Sequence, residues 1–195
     1  MRLRILLAVL LSLQAFIVFQ SALAAENPSL IVSVSEQKLY LFDADGHKIA
    51  SYRVSTSKFG LGDTRWSYAT PTGRLEVASK IGQGAEPGMV FHHCRPTGEI
   101  CPPNAPGRDP IVTRILCLRG LERTNAQALS RGIFIHGTPD ERNIGRPVSW
   151  GCIRMKSRDV VELFEQVRPG TRVEITTERV GGLFGGATRL AADRG

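Results

Sequence analysis

The apolar run Gly132-Ile133-Phe134-Ile135 ends on His136, and Cys152 follows sixteen positions later. A short apolar run bounded by turn formers reads as a buried strand. The residues between His136 and Cys152 are polar and carry Thr138-Pro139, Gly145 and Pro147, so they continue neither strand nor helix. A loop of this length folds back and returns Cys152 to the strand end that holds His136. Any fold for this chain has to accommodate that return.

The pairing carries chemistry. A cysteine attacks as its thiolate, and a thiol of ordinary pKa is mostly protonated at neutral pH; a neighbouring imidazolium lowers that value. Gly151 leaves the backbone N–H groups around Cys152 uncovered, where they face the oxyanion that forms when sulfur attacks a carbonyl. The residue types alone also fit a small buried hydrophobe and a hydrogen-bonded ring.

The wider string narrows the choice. His136-Gly137-Thr138, Ile144-Gly145 and Ser149-x-Gly151-Cys152-Ile153-Arg154-Met155 together resemble the signature of the L,D-transpeptidase catalytic domain, the YkuD type. Ala69-Thr70-Pro71-Thr72-Gly73 is similar to a second element of that family. Many members carry His between the Ser and the Gly, where this chain has Trp150, and that puts local substrate contacts in question. The resemblance covers residues 30–176 and implies a mainly β, sandwich-like domain with one or two short helices.

It also implies roles. Cys152 is the nucleophile and His136 the base, with the carbonyl of Gly137 orienting the ring. Gly151, Trp150 and Cys152 supply oxyanion donors, and Ser149 lines the pocket or fixes the turn. Arg154 binds a substrate carboxylate or braces the loop. The implied substrate is a peptidoglycan tetrapeptide stem, cut at its third residue with release of D-alanine and joined to an amine as a 3–3 cross-link. Water as acceptor would make the same pair an L,D-carboxypeptidase, and a free D-amino acid or a lipoprotein amine would give exchange or anchoring. A wall-binding module without activity is the rival from another class. A papain-like hydrolase is disfavoured, because it places Cys before His. No cofactor is implied.

The rest of the 195 residues sets the context. Arg2 and Arg4, an apolar run to Phe19, and Ala22-Leu23-Ala24 read as a signal peptide over residues 1–24. Export to the periplasm or cell wall follows. The formal charge of +7 is scattered, so it reads as a solvated surface or a partner for an acidic polymer, and export argues against nucleic acid. Oligomeric state is not legible.

Residues 28–178 form the expected domain and residues 179–195 a flexible Gly-rich tail. Leu30–Val34 and Lys38–Phe42 read as strands, and His47–Ser55 as the second arm of a hairpin with Ile49 and Val54 inward. His47 is expected to be exposed and without a role. Arg74–Ala78, Pro110–Leu118 and Thr171–Thr176 read as further strands. Ser157–Val167 is the clear helix, with Ser157 as N-cap and an Arg158–Glu162 pair. Leu121–Arg131 reads as a second, short helix capped by Thr124.

Residues 81–109 read as a long irregular loop. His92, His93, Cys94 and Cys101 invite a metal reading, but the spacing is wrong for a structural zinc site and adjacent histidines in an extended chain diverge. No metal is expected. With Cys152 reserved as nucleophile and Cys117 in an apolar stretch, Cys94–Cys101 is the expected disulfide, one of several pairings that four cysteines allow.

Overall fold

The computed structural model describes residues 29–181. The expected leader and nearly all of the expected tail lie outside them. No described helix is long and apolar enough to cross a membrane.

Among the described residues, ten strands share one hydrogen-bonded network, with one α-helix packed against it. β1 (Ser29–Ser33), β2 (Lys38–Phe42) and β3 (Lys48–Arg53) form an antiparallel meander. β10 (Arg172–Thr176) lies parallel to β1 and antiparallel to β4 (Gly73–Ile81). β7 (Ile111–Gly120) is the hub, pairing with β4, with β5 (Met89–His92) and with β8 (Phe134–Gly137). β5 also pairs with β6 (Arg95–Ile100), and β8 runs parallel to β9 (Ile153–Met155). Seven consecutive residues of β7, Val112–Leu118, are buried. Both faces of this strand are therefore covered, and its pattern does not alternate.

The far ends of the network meet. Beyond β3, Ser55 bridges to Arg154 and Ser57 to Ser149, so the meander closes onto β9. One core fills the enclosed space, with Leu30, Leu39, Leu75, Leu116, Ile135, Ile153 and Val173 drawn from seven strands. Helix α1 (Ser157–Gln166) adds Val160, Leu163 and Phe164 to it. At ~25 cal/mol per Å² of apolar surface removed from water, each such side chain is worth roughly 1.5–3 kcal/mol when fully buried.

Several local expectations differ from the structure. Ile49 is exposed, while Tyr52 and Val54 face the core. Leu41 pairs with Ala50 and Phe42 with Lys48, so Ile49 is the extra residue of a bulge and turns outward. Residues 81–109 are not a long loop: β5 and β6 form a hairpin within them.

Leu121–Arg131 is a series of turns, with Leu121 and Leu129 exposed. Asn125 explains this. Its fully buried side chain accepts from Glu122 N and donates to the carbonyls of Thr72 and Arg74, a competing use of the local backbone. Lys156, not Ser157, holds the N-cap position of α1. Glu141 accepts from Ser157 N at 2.8 Å in place of a side-chain cap. Arg158 pairs with Asp159, and Glu162 instead accepts from the Tyr52 hydroxyl.

Candidate active site

Register places the site residues. Ile135 pairs with Ile153 and His136 with Arg154 across the parallel β8–β9 pair. Ile135 and Ile153 are fully buried in the core, so His136 and Arg154 lie on the opposite face by strand alternation. Cys152, one residue before Ile153, shares that face. Parallel neighbours need a crossover connection, and the polar segment between His136 and Cys152 supplies it. His136, Cys152, Arg154 and Trp150 line one cleft of about 500 Å³, together with Asp109 and Ile111.

The imidazole is fixed by its own strand. His136 Nδ1 lies 2.8 Å from the Gly137 carbonyl oxygen. A carbonyl only accepts, so Nδ1 carries the proton and Nε2 keeps a free lone pair. Position 137 has no room for a side chain, since a Cβ there would lie 2.6 Å from the Val112 carbonyl oxygen. β7 bulges beside it: Val112 pairs with Gly137 and Ile115 with His136. Within the bulge Thr113 holds φ +73°, a strained conformation for a β-branched residue. Its buried hydroxyl accepts from Gly88 N and shares a hydrogen bond with Ser157.

The cysteine turn is equally determined. Ser149 is fully buried, and its hydroxyl donates to the Cys152 carbonyl at 2.6 Å while accepting from Gly151 N. Ser149 therefore builds the turn and does not line the pocket. Because the Gly151 N–H is committed to Ser149, the expected oxyanion donors reduce to Trp150 and Cys152. Gly151 has φ +116°, and a Cβ there would meet Ile133 at 3.1 Å and the Ala69 carbonyl oxygen at 3.2 Å. The Cys152 thiol donates to the Gly132 carbonyl at 3.3 Å.

Burial governs the titration of both groups. It pushes the His136 pKa down to about 4, with Arg154 acting in the same direction and the Gly137 carbonyl and Asp109 opposing. It pushes the Cys152 thiol up to about 11, against the pull of the Phe134 N–H, Arg154 and Arg131. At neutral pH the resting pair is thus a thiol and a neutral imidazole. Neither charged form is solvated there.

Arg154 is braced as well as placed in the cleft: its Nη1 lies 2.6 Å from Asp109 Oδ2. Asp109 also accepts from the Thr138 hydroxyl. Sequence reasoning missed Asp109, a single carboxylate far from the motif, marked only by the Pro110 that follows it. Trp150 is half exposed and packs edge-on against Phe59 and Tyr68, each at 5.1 Å between ring centroids. Trp150 also lines a second cavity of about 420 Å³, with Trp66, Tyr68, Arg131 and Ile133. Neither Phe59 nor Tyr68 carried a sequence signal.

The expected Cys94–Cys101 disulfide is not formed; both are free thiols. All six residues of β6 separate them, a span of roughly 20 Å at ~3.3 Å per residue, against the ~4.4–6.8 Å between Cα atoms that a disulfide tolerates. His92 and His93 do not diverge, because His93 sits at φ +48° in the hairpin turn and their rings meet at 4.1 Å. Among the described residues, Asp43, Asp45 and His47 bring ligand-type atoms within 4.8 Å of one another. That cluster is the β2–β3 turn, where Asp43 Oδ1 already accepts from the N–H groups of Asp45 and His47.

Residues 27–175 match the model of the L,D-transpeptidase catalytic domain. The chain belongs to the L,D-transpeptidase catalytic domain family. A probable L,D-transpeptidase of Escherichia coli K12, YcfS, is 30% identical over 158 residues, covering 77% of this chain and 44% of the relative. The putative L,D-transpeptidase YkuD of Bacillus licheniformis is 60% identical over 42 residues, 22% of this chain and 26% of the relative. The chain thus spans less than half the length of these relatives. The solved LD transpeptidase LdtMt1 in complex with imipenem shares the fold, with a TM-score of 0.50 and 18% identity over 77% of this chain and 59% of that one.

Proposed function

We propose that this domain is an exported peptidoglycan L,D-transpeptidase that acts through Cys152 and His136. The observation that carries the reading is the arrangement of His136: its Nδ1–H is held by the Gly137 carbonyl and its Nε2 lone pair is free, in the cleft it shares with Cys152. A fixed tautomer of this kind is what a base needs to take a thiol proton.

The donor is the tetrapeptide stem of peptidoglycan. Since the resting pair is uncharged, the Cys152 proton moves to His136 Nε2 as sulfur attacks the carbonyl of the third residue. The N–H groups of Trp150 and Cys152 receive the developing oxyanion. His136 then returns the proton to the departing D-alanine amine, leaving a thioester on Cys152. An amine of a second stem gives its proton to His136, attacks the thioester and frees the thiol, which produces a 3–3 cross-link. Arg154, held in place by Asp109, directs its remaining guanidinium N–H groups to a stem carboxylate. The two cavities that share Trp150 suit a reaction with two peptide substrates.

Mass spectrometry of tetrapeptide muropeptides incubated with the protein tests this, beside a Cys152→Ala control. Dimers joined through two third-position residues are expected with the wild type and absent from the control. Tripeptide monomers alone would replace transfer by hydrolysis. Cross-linking retained by Cys152→Ala would remove the nucleophile assignment.

A further inference from the structure

We propose that Thr113 is a positioning residue for the reaction: its hydroxyl, shared with Ser157, holds the β7 bulge against Gly137 and so sets the carbonyl that fixes the His136 ring. The inference rests on the catalytic reading above and extends it to two side chains outside the lining of the cleft.

The carbonyl of Gly137 needs neighbours to hold its direction. A glycine has no Cβ, so its own sterics restrain its peptide less than those of any other residue. On the β9 side, Gly137 is in register with Met155, and Thr138 N donates to the Met155 carbonyl at 3.1 Å. On the β7 side the ladder is broken. Val112 pairs with Gly137 and Ile115 with His136, so one step of β8 faces three of β7. The two residues left over are Thr113 and Arg114.

Thr113 fills the gap. A Cβ at position 137 would lie 3.0 Å from Thr113 Cβ and 3.2 Å from its Oγ1, so the threonine side chain stands against the Gly137 backbone. It does so at φ +73°, where glycine or asparagine is less strained than a β-branched residue. The strain is met by bonds that a glycine side chain cannot make. Thr113 Oγ1 accepts from Gly88 N at 2.9 Å and shares a 2.8 Å hydrogen bond with Ser157 Oγ. Thr113 is fully buried, and Ser157 is buried beside it. The Thr113 carbonyl accepts from Arg114 Nη1 at 2.7 Å, and the same nitrogen donates to the Ala85 carbonyl at 2.6 Å.

The network ends on elements that flank the site. Ser157 opens α1, and its N–H is held by Glu141, which lies in the crossover between His136 and Cys152. Gly88 immediately precedes β5. One hydroxyl therefore joins the entry to β5, the start of α1 and the end of β8. Removing it leaves the Gly88 N–H buried without an acceptor, a cost that the bulge relieves by moving. Because Thr113 stands against Gly137, that movement turns the carbonyl that receives the His136 Nδ1 proton at 2.8 Å. The neutral ring then loses its preference for one tautomer, and Nε2 carries the proton in a fraction of the molecules. Those molecules cannot take the Cys152 proton.

The test reads the ring itself. The chain has four histidines; His47, His92 and His93 are exposed and His136 is buried. In full-length protein labelled with ¹⁵N-histidine, two-bond proton–nitrogen spectra at pH 7 report the tautomer of each ring, and the His136 signals are those missing from His136→Gln. The wild type should show His136 protonated at Nδ1 alone. Thr113→Val keeps the shape and removes the hydroxyl. It should give mixed tautomers at His136 and lower kcat on tetrapeptide muropeptides by ~tenfold or more, with KM within ~twofold. Thr113→Ser restores the hydroxyl and should recover both the single tautomer and most of kcat.

A pure Nδ1–H tautomer in Thr113→Val, with kcat within ~twofold of the wild type, would overturn the proposal. So would a serine variant as impaired as the valine one, because the branched shape and not the hydroxyl would then be acting. Should Thr113→Val fail to fold, Ser157→Ala removes the other half of the hydroxyl pair without touching β7, and unaltered His136 signals in it would overturn the proposal as well. Mixed tautomers without turnover in any of the proteins would uphold the positioning and fault the catalytic reading instead.

Discussion

The segment 57–72 and the β5–β6 hairpin are held by opposite means. The first has only isolated bridges, yet Arg131 donates to the carbonyls of Gly62 and Ala69, to Ser67 Oγ and to Asp63 Oδ1. Arg131 and Asp63 are 7% and 6% exposed in their side chains. Thr70, fully buried, accepts from Ser57 N and donates to the Gly151 carbonyl, tying the segment to the cysteine turn. The hairpin has regular strands, but every residue of β6 is exposed and its Arg108–Glu99 pair stands in solvent. Regular hydrogen bonding and fixed position are therefore separate properties. An irregular backbone is fixed by buried side chains that answer its polar groups, while a regular edge is free to shift where nothing covers it.

Removing Asp63 should have the largest effect. Asp63→Ala strands the Arg131 guanidinium, and losing one partner of a buried ion pair costs about 3–5 kcal/mol. Thermal or urea unfolding measures it. A loss under ~1 kcal/mol would mean that the carbonyl contacts of Arg131 suffice, and the contrast between the two segments would weaken.

Acid should have an intermediate effect, acting through His136. Its folded pKa, about 4, lies below the ~6.5 of an unfolded histidine. Between those values the unfolded chain binds the extra proton, so stability rises with pH and is lost on acidification from about 6.5 towards 4. The limiting slope is about 1.4 kcal/mol per pH unit. Urea titrations across that window should show this component in the wild type and lack it in His136→Gln. Identical pH dependence in both would place the acid-sensitive group elsewhere. Glu99→Ala should be the mildest, with no resolvable change in melting temperature. A clear drop would show the hairpin to be as firmly held as segment 57–72.

The motif residues were legible because their constraints are local. A buried run ending in His136, and Gly151 before Cys152, are written in consecutive letters. So are the apolar run of β2, the alternation of β10 and the face of α1. The hairpin was not legible, because β6 reads Arg-Pro-Thr-Gly-Glu-Ile and buries neither face, leaving no period to detect. Its turn uses His93-Cys94 where Asn or Gly would have announced it. The 121–131 turns look helical by apolar spacing, and only the buried triple hydrogen bonding of Asn125 shows otherwise. Asp109 and the Phe59–Tyr68–Trp150 cluster are brought together by tertiary closure, across distances in sequence that leave no pattern.

The group that receives the His136 Nδ1 proton is the main-chain carbonyl of Gly137. No codon change can delete it, since every amino acid carries the same oxygen. Alanine scanning is blind to this member of the site, and a chain that drifts in sequence cannot lose it by a single replacement of that atom. It can only be misaimed, through the path of β8 and the bulge of β7 at Val112 and Thr113. Heredity reaches this contact through shape alone.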